Sequence, residues 1–326
     1  MPGSIFARYY APEMFTDRFS NRPDGAIDVL IPVLNTNELW EKNLISIYRE
    51  IPVSRLLIGD AGCSDQTIAI AKKFPRVEVH DHSSFKTLGY SVKELIKRVE
   101  TEWFAYLHAD VYLPGGWFDT MRSYQSDFDW FGCPMQVTVM GEYRHIDLDR
   151  PYAGSQMGRK AAFLNGLDTI EDDYVYRQED FVFAGIVEKG QFRSGRVEDI
   201  FHYHQVMPRL YGTAARTRSL KSINIEMEMT EAEEIHTAET QLRGTVKYLR
   251  PDKYQIRSVE ANVLQLKQLN RFDYEEFIAW VAKTNPEWIP HIPRPMRRLQ
   301  RYQALVRSGF KAIVRHVLQY FLYKLG

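Results

Sequence analysis

Cysteine, net charge and long apolar runs are what this chain has least of. Only two of its 326 residues are cysteines, Cys63 and Cys133. Two cysteines make no disulfide framework, so a reducing compartment is expected. Lys plus Arg equals Asp plus Glu at 42 each, which excludes a surface built throughout for nucleic acid. No run of about 18 uncharged apolar residues occurs, so no membrane-spanning helix is expected. The opening MPGSIFARYYAPEMF has no basic start, apolar run or small-residue cleavage site. It does not read as a secretory signal, and the expected location is cytoplasmic. The fingerprint G-x-G-x-x-G is absent, which speaks against a dinucleotide-dependent oxidoreductase. No Gly-rich phosphate loop opens the first strand and no strand-end D-x-D nucleophile motif appears. Both absences weaken a nucleotidyltransferase or a metal-dependent hydrolase.

What is present is ordinary for a globular protein: 44% apolar and 13% aromatic residues, too apolar for disorder. At about 150 residues per domain the length suggests two domains, or one with an appendage. Residues 27–33, IDVLIPV, form a short apolar run. A polar turn follows, Asn35-Thr36-Asn37, with Asn37 placed to cap a helix through Leu39, Leu44, Ile47 and Tyr48. A second run, Leu56-Leu57-Ile58-Gly59, ends in Asp60-Ala61-Gly62-Cys63-Ser64-Asp65 and leads into the helical pattern QTIAIAKKF. Then come a strand RVEVH, a helix around 87–99 and a strand WFAYLH at 103–108. Strands alternating with helices predict a mostly parallel open α/β sheet. Trp103, Phe104 and Tyr106 read as its core. His80-Asp81-His82 resembles a metal pair, but it closes the RVEVH strand with no third ligand nearby and reads as a loop. Residues 116–205 are less regular, with a helix around 179–190. From about 211 helical periodicity dominates, giving an organisation of 1–25 (extension), 26–210 (α/β domain) and 211–326 (helical region).

Ligands of such sheets bind at the carboxyl ends of the strands. Strand one ends at Pro32-Val33-Leu34-Asn35, strand two at Gly59-Asp60-Ala61-Gly62, strand four at His108-Ala109-Asp110. An Asp after strand two can accept a hydrogen bond from a nucleobase or ribose, with glycine letting a ligand approach the backbone. Taken alone, Asp60 reads as a cap for a helix starting near Ser64. An Asp after strand four suits a hard cation, Mg²⁺ or Mn²⁺, which then holds a diphosphate.

IDVLIPVLNTN, LLIGDAGCSDQTIAIAKKF and TEWFAYLHADVYLP, in that order and spacing, resemble the inverting family 2 glycosyltransferases of GT-A fold. The resemblance covers roughly residues 26–205. It implies transfer of a sugar from a nucleotide-diphosphate donor to a hydroxyl, on a glycan or a lipid-linked acceptor. Gln178-Glu179-Asp180 resembles the family's acidic acceptor-site motif, which makes Asp180, with Glu179 beside it, the expected general base. His202-Tyr203-His204 falls where the family often has a metal-binding His; spacing favours His202, and His204 shares its face in an extended segment. Donor contacts are then expected from Pro32, Val33, Asn35, Asp60, Gly62, His108, Ala109 and Asp110, with Asp110 on the metal. The chain departs from the pattern at three places. His108 stands where an acidic residue is usual, Ala61 replaces a second Asp, and Thr36 replaces the acid after Asn. These departures motivate an alternative, a degenerate GT-A fold kept as a binding or scaffold subunit.

Arg209, Arg216 and Arg218 lie in MPRLYGTAARTRS, a basic segment that reads either as a lid ordering over the diphosphate or as a solvated loop. Gly154-Ser155-Gln156 and the Arg150-Pro151-Tyr152 turn are placed on the acceptor side. Residues 224–239 hold six Glu and no Lys or Arg, whereas 291–326 hold eight Lys/Arg and no acid. In RSGFKAIVRHVLQYFLYKLG the apolar Phe310, Val314, Val317, Phe321 and Leu325 form one stripe, with basic residues elsewhere around the helix. Such a helix lies on the inner face of an anionic membrane as a peripheral contact, packs on the catalytic domain, or pairs two copies.

Overall fold

A computed structural model describes residues 24–36, 39–139, 142–147, 154–173, 175, 179–206 and 231–293. The expected caps and turns at Asn37 and 150–152, residue Gln178, the arginines 209, 216 and 218, the 1–23 extension and the basic C-terminal stripe lie outside these residues. So does the boundary expected near 210.

The core is an α/β sheet of seven strands. In chain order the elements are β1 (Ile27–Val33), α1 (Trp40–Glu50), β2 (Val53–Asp60), α2 (Thr67–Ala71), β3 (Val77–Asp81), α3 (Leu88–Arg98) and β4 (Trp103–Leu107). There follow β5 (Val111–Tyr112), α4 (Trp117–Ser123), β6 (Trp130–Gly132), β7 (Met135–Val139), β8 (Glu142–Asp147), β9 (Ser155–Arg159), α5 (Glu179–Lys189), β10 (Ser194–Arg196) and β11 (His202–Val206). The sheet order is β10-β6-β9-β4-β1-β2-β3. Strands β3, β2, β1 and β4 run parallel, as the alternation of strands and helices predicts. The exception is β9, antiparallel to both β4 and β6.

Period-two alternation sends side chains to two apolar layers. Val29, Ile31 and Val33 face α1, α2 and α4 through Trp40, Leu44, Ala71 and Trp117. Leu30, Phe104 and Tyr106 face α3 and α5 through Val92, Leu95, Val182 and Phe183. A strand buried on both faces must be apolar almost throughout, which is why IDVLIPV reads as one run. Its one charge, Asp28, is fully buried and paired: Arg55 Nη2 lies 2.7 Å from Oδ2, and the Glu100 amide donates to the same oxygen.

A second, four-stranded sheet has the order β5-β11-β7-β8. In it β11 runs antiparallel to β5, with His204 opposite Val111 and Tyr203 opposite Tyr112. The pairing draws β11 against the strand that immediately follows Asp110.

The helical pattern after 211 is met by α6 (Glu231–Tyr248), α7 (Lys253–Gln268) and α8 (Tyr274–Thr284). They enclose their own core of Leu242, Val246, Val259, Val263, Phe277, Val281 and Trp288. Asp252 and Asp273 cap α7 and α8, accepting from the amides of Gln255 and Glu276. Tyr248 and Leu249 enter the α3/α5 layer, and Tyr248 donates to Asp173 at 2.9 Å. No helix among the described residues is long and apolar enough to cross a membrane.

At His80-Asp81-His82 the expected strand end is present, but the stretch is packed rather than a loop. His80 and Asp81 end β3, and His82 is buried with its Nδ1 2.7 Å from Ser91 Oγ. Gly59 makes room for this pair: a Cβ there would sit 2.5 Å from His82 Nδ1 and 2.8 Å from Ser91 Oγ. Burial, helped by the charges of His80 and Arg98, pushes the His82 imidazole down to about 4. The unfolded chain takes up this proton near the ordinary value of about 6.5, so between those values it binds more protons than the folded chain. Stability is therefore full above about pH 6.5 and declines as pH falls toward 4. Thermal melting is expected to show a Tm several degrees lower at pH 4.5 than at pH 7, with a smaller drop in His82→Gln. An equal drop in both proteins refutes the assignment.

Candidate metal centre and active site

Three strand ends carry the polar groups, and they fall into two sets on one edge of the sheet. The first set follows β4. Tyr106 and His108 alternate onto the α5 face, and the His108 amide donates to the Gly154 carbonyl at 2.8 Å. The chain then turns through Ala109 and Asp110 into β5. Because β5 pairs with β11, His204 arrives beside Asp110, with Nε2 3.2 Å from Asp110 Oδ2. One ligating atom each from His108, Asp110 and His204 lies within 4.8 Å of the others. Gly154 is why the three fit. It has φ +82°, and a Cβ there would stand 2.8 Å from His108 Nδ1 and 3.1 Å from His204 Cε1.

Behind His108 stands Glu179, in the first turn of α5. Its Oε1 lies 2.9 Å from His108 Nε2 and accepts the Tyr106 hydroxyl at 2.9 Å. Burial by itself pushes the Glu179 carboxyl up, but the hydrogen bond and charge of His108, with the backbone and Tyr106, outweigh it and hold the group below its ordinary range. Burial likewise pushes His108 down, but the bond and charge of Glu179, then the charges of Asp110 and Asp180, bring it up to about 9. An ionised Glu179 can only accept, so Nε2 carries a hydrogen; a ring raised to about 9 holds a proton on Nδ1 as well at neutral pH, and a cation bound at Nδ1 would displace it. A carboxylate behind a histidine is the usual support of a metal-bound imidazole. Two imidazoles and one carboxylate, so backed, fit a divalent transition metal.

Asp180 follows Glu179 on α5 and is buried, with its carbonyl accepting the Trp130 indole at 3.2 Å. Its charge reaches His108 and Tyr106, as does that of Asp110. The charges of Glu179, Asp110 and Asp180 thus all act on one imidazole.

The second set joins the ends of β1 and β2. Asp60 Oδ1 accepts from the amides of Gly62 and Cys63, closing a turn that Gly62 makes at φ +98°. Asn35, itself at φ +49°, takes the Ser64 amide on its Oδ1 and donates its own amide to Cys63 Sγ. The Thr36 amide lies within hydrogen-bond reach of Asp65 Oδ2 and Thr67 Oγ1. Val33 is buried and its carbonyl accepts the Ala61 amide; Pro32 lies opposite Gly59 in the sheet. The expected donor residues here are therefore stitched to one another, loop to loop. Asp60 does not cap α2, whose cap position Gln66 makes no side-chain cap bond; Asp65 Oδ1 accepts from the Thr67 amide at the start of the helix.

Of the expected site residues, the structure gathers His108, Asp110, Glu179, Asp180 and His204, with Ala109 between the ligands. It leaves Pro32, Val33, Asn35, Asp60 and Gly62 in the neighbouring loop pair. The preference for His202 is corrected. His202 is fully buried, with Nδ1 2.7 Å from Ser155 Oγ, outside the cluster that His204 enters. Both sit on one face of β11, but only position 204 is level with the strand leaving Asp110. Ser155 and Gln156 are buried rather than lining an acceptor surface, while Gly154 packs on the cluster. The sequence alone placed His108 with the donor contacts and not among the candidate metal ligands, where the cluster puts it. The available signal was its place two residues before Asp110 at a strand end.

No protein-family model matches the chain, and no curated protein matches it. Among solved structures it is similar to S. aureus TarS in complex with UDP-GlcNAc, at 13% identity over 82% of this chain and 81% of that one, TM-score 0.47. It is similar to mannosyltransferase PcManGT from Pyrobaculum calidifontis in complex with GDP-Man and Mn²⁺, at 14% identity over 91% and 83%, TM-score 0.49. It is also similar to glucosyl-3-phosphoglycerate synthase from Mycobacterium tuberculosis, at 11% identity over 63% and 80%, TM-score 0.43. Every one of these scores is below 0.5, and the functional reading rests on the site's own residues.

Gly154→Ala is expected to push the two imidazoles apart and strain the backbone. Titration with Mn²⁺, followed by the signal of the free ion, should show affinity reduced at least about tenfold, the scale of losing an outer-shell support. Unchanged affinity refutes this packing role.

Proposed function

We propose that the chain is a metal-dependent inverting glycosyltransferase of GT-A type, using a nucleotide-diphosphate sugar. The observation that carries this reading is the His108–Asp110–His204 cluster at the carboxyl end of β4, with Asp180 in electrostatic reach at the start of α5. The sequence resemblance over 26–205 supports it independently.

His108 Nδ1, the Asp110 carboxylate and a ring nitrogen of His204 would hold the cation. Two nitrogen donors favour Mn²⁺ over Mg²⁺, which prefers oxygen ligands. Bound there, a divalent cation supplies positive charge for the diphosphate that departs. Glu179 fixes the His108 ring through Nε2 and is itself held by Tyr106, so the base is its neighbour. The Asp180 carboxylate accepts the acceptor's hydroxyl proton as that oxygen bonds to the sugar C1. The bond from C1 to the diphosphate oxygen breaks with its electron pair leaving on the diphosphate, and the anomeric centre inverts. Asp60 and the loops it closes would meet the nucleoside, and the arginines at 209, 216 and 218 would meet the diphosphate.

A second reading, a fold that binds donor without turnover, is favoured by one observation. Asn35, Thr36 and Asp65, at the proposed nucleoside end, are occupied by bonds to the facing loop.

A thermal-shift panel of nucleotide diphosphates and their sugars separates these outcomes. One nucleotide with Mn²⁺ is expected to raise Tm by several degrees, Mg²⁺ to do so less, and Asp110→Ala to abolish the shift. No shift with any nucleotide and metal refutes the proposal. Asp180→Asn should keep the shift but lose about 10³-fold or more in kcat, at the upper part of the range for general bases. A shift with no turnover of any donor by the unmodified protein favours the binding subunit.

A further inference from the structure

One stripe of α1 grips the segment that carries the metal ligand Asp110. Asn43, Ser46, Arg49 and Glu50 recur at helical spacing and so share a face. Asn43 Nδ2 donates to the Ala109 carbonyl at 2.8 Å. Ser46 Oγ accepts the Leu113 amide at 3.0 Å. Arg49 donates to the Leu113 carbonyl at 2.7 Å and to the Tyr112 hydroxyl at 3.1 Å. Glu50 accepts the Gly116 amide at 2.8 Å. The gripped segment includes β5, whose partner β11 brings His204. Of these bonds, only that of Asn43 falls between two ligands, on the carbonyl linking His108 to Asp110.

Asn43 is fully buried, and the other end of its amide, Oδ1, is buried with no hydrogen-bond partner among the described residues. As a contributor to stability it is a poor fit, since its side chain makes one bond to the described protein and buries the other end of the amide. As a positioner it fits well, since a rigid amide donor on a helix fixes the peptide between the two ligands.

We infer that Asn43 is a positioning residue of the metal centre, setting the geometry of His108 and Asp110 through the Ala109 carbonyl. This rests on the metal-dependent reading of the site. The test is Mn²⁺ affinity of the full chain, read from the electron paramagnetic resonance of free Mn²⁺, beside Tm without metal. Asn43→Leu keeps the shape and removes the donor. Asn43→Ala leaves room for a water on the carbonyl. Both are expected to bind Mn²⁺ about tenfold or more weakly with little change in Tm. Ser46→Ala, which acts three residues beyond Asp110, is expected to lower Tm while keeping affinity within about twofold of the unmodified protein, well short of that tenfold loss. Unaltered affinity in both Asn43 variants overturns the inference and leaves the proposed function standing. An equal loss in Ser46→Ala overturns it too, because the effect is then general loosening. If neither Asn43 variant folds, the residue belongs to the core and the inference falls. If the unmodified protein binds no Mn²⁺, the metal reading itself fails and takes the inference with it.

Discussion

The hydrogen bond between buried Glu179 and half-buried His108 is the contact on which the site depends. It joins the first turn of α5 to the end of β4 across the edge of the sheet. Without His108, Glu179 would be a buried carboxylate beside Asp110 and Asp180, and such a charge is costly unless paired. Without Glu179, His108 would be a half-buried imidazole free to rotate. Together they fix which ring nitrogen faces Asp110 and His204, and they bring Asp180 into the same neighbourhood. Tyr106 completes the arrangement by spending its buried hydroxyl on the same oxygen.

The same contact makes sense of a departure from the resembled family. An acid at 108 would turn a second carboxylate toward Glu179, whose Oε1 lies 2.9 Å from the present His108 Nε2. The histidine relieves that repulsion and contributes a nitrogen to the cluster. Thr36 has a parallel account. Its amide lies 3.1 Å from Asp65 Oδ2, and its hydroxyl 2.7 Å from Thr67 Oγ1. An acidic side chain there would face Asp65, whose carboxyl is held below its ordinary range by its bonds to Thr67 and Thr36 despite the opposing effect of burial. Both departures are matched by local partners, so they are not simple losses. For Ala61 the structure gives no such account.

Much of the α/β layer was legible because its signals are local. Apolar runs bounded by Asn, Asp and Gly gave β1, β2 and β4, and α3 and α5 fell close to where periodicity put them. The reversed strand β9 was not legible, since SQMGR has neither a long apolar run nor clean alternation and pairs only through long-range register. His82 was misjudged because a histidine in HDH reads as polar until Gly59 and Ser91 are seen to enclose it. Spacing favoured His202 over His204, yet both project from one face of the strand, and the one that reaches Asp110 is set by β5, far earlier in the chain.

The sequence by itself determined the alternation of strands and helices, the polar strand ends and the helical region after 211, because these follow from hydrophobic period and turn chemistry within short windows. The tertiary structure alone decided which groups meet. It put His204 rather than His202 beside Asp110, set Glu179 behind His108, and left Asp60 in a loop pair of its own. Those outcomes depend on sheet register and on burial of charge, and neither is a property of any short stretch of chain.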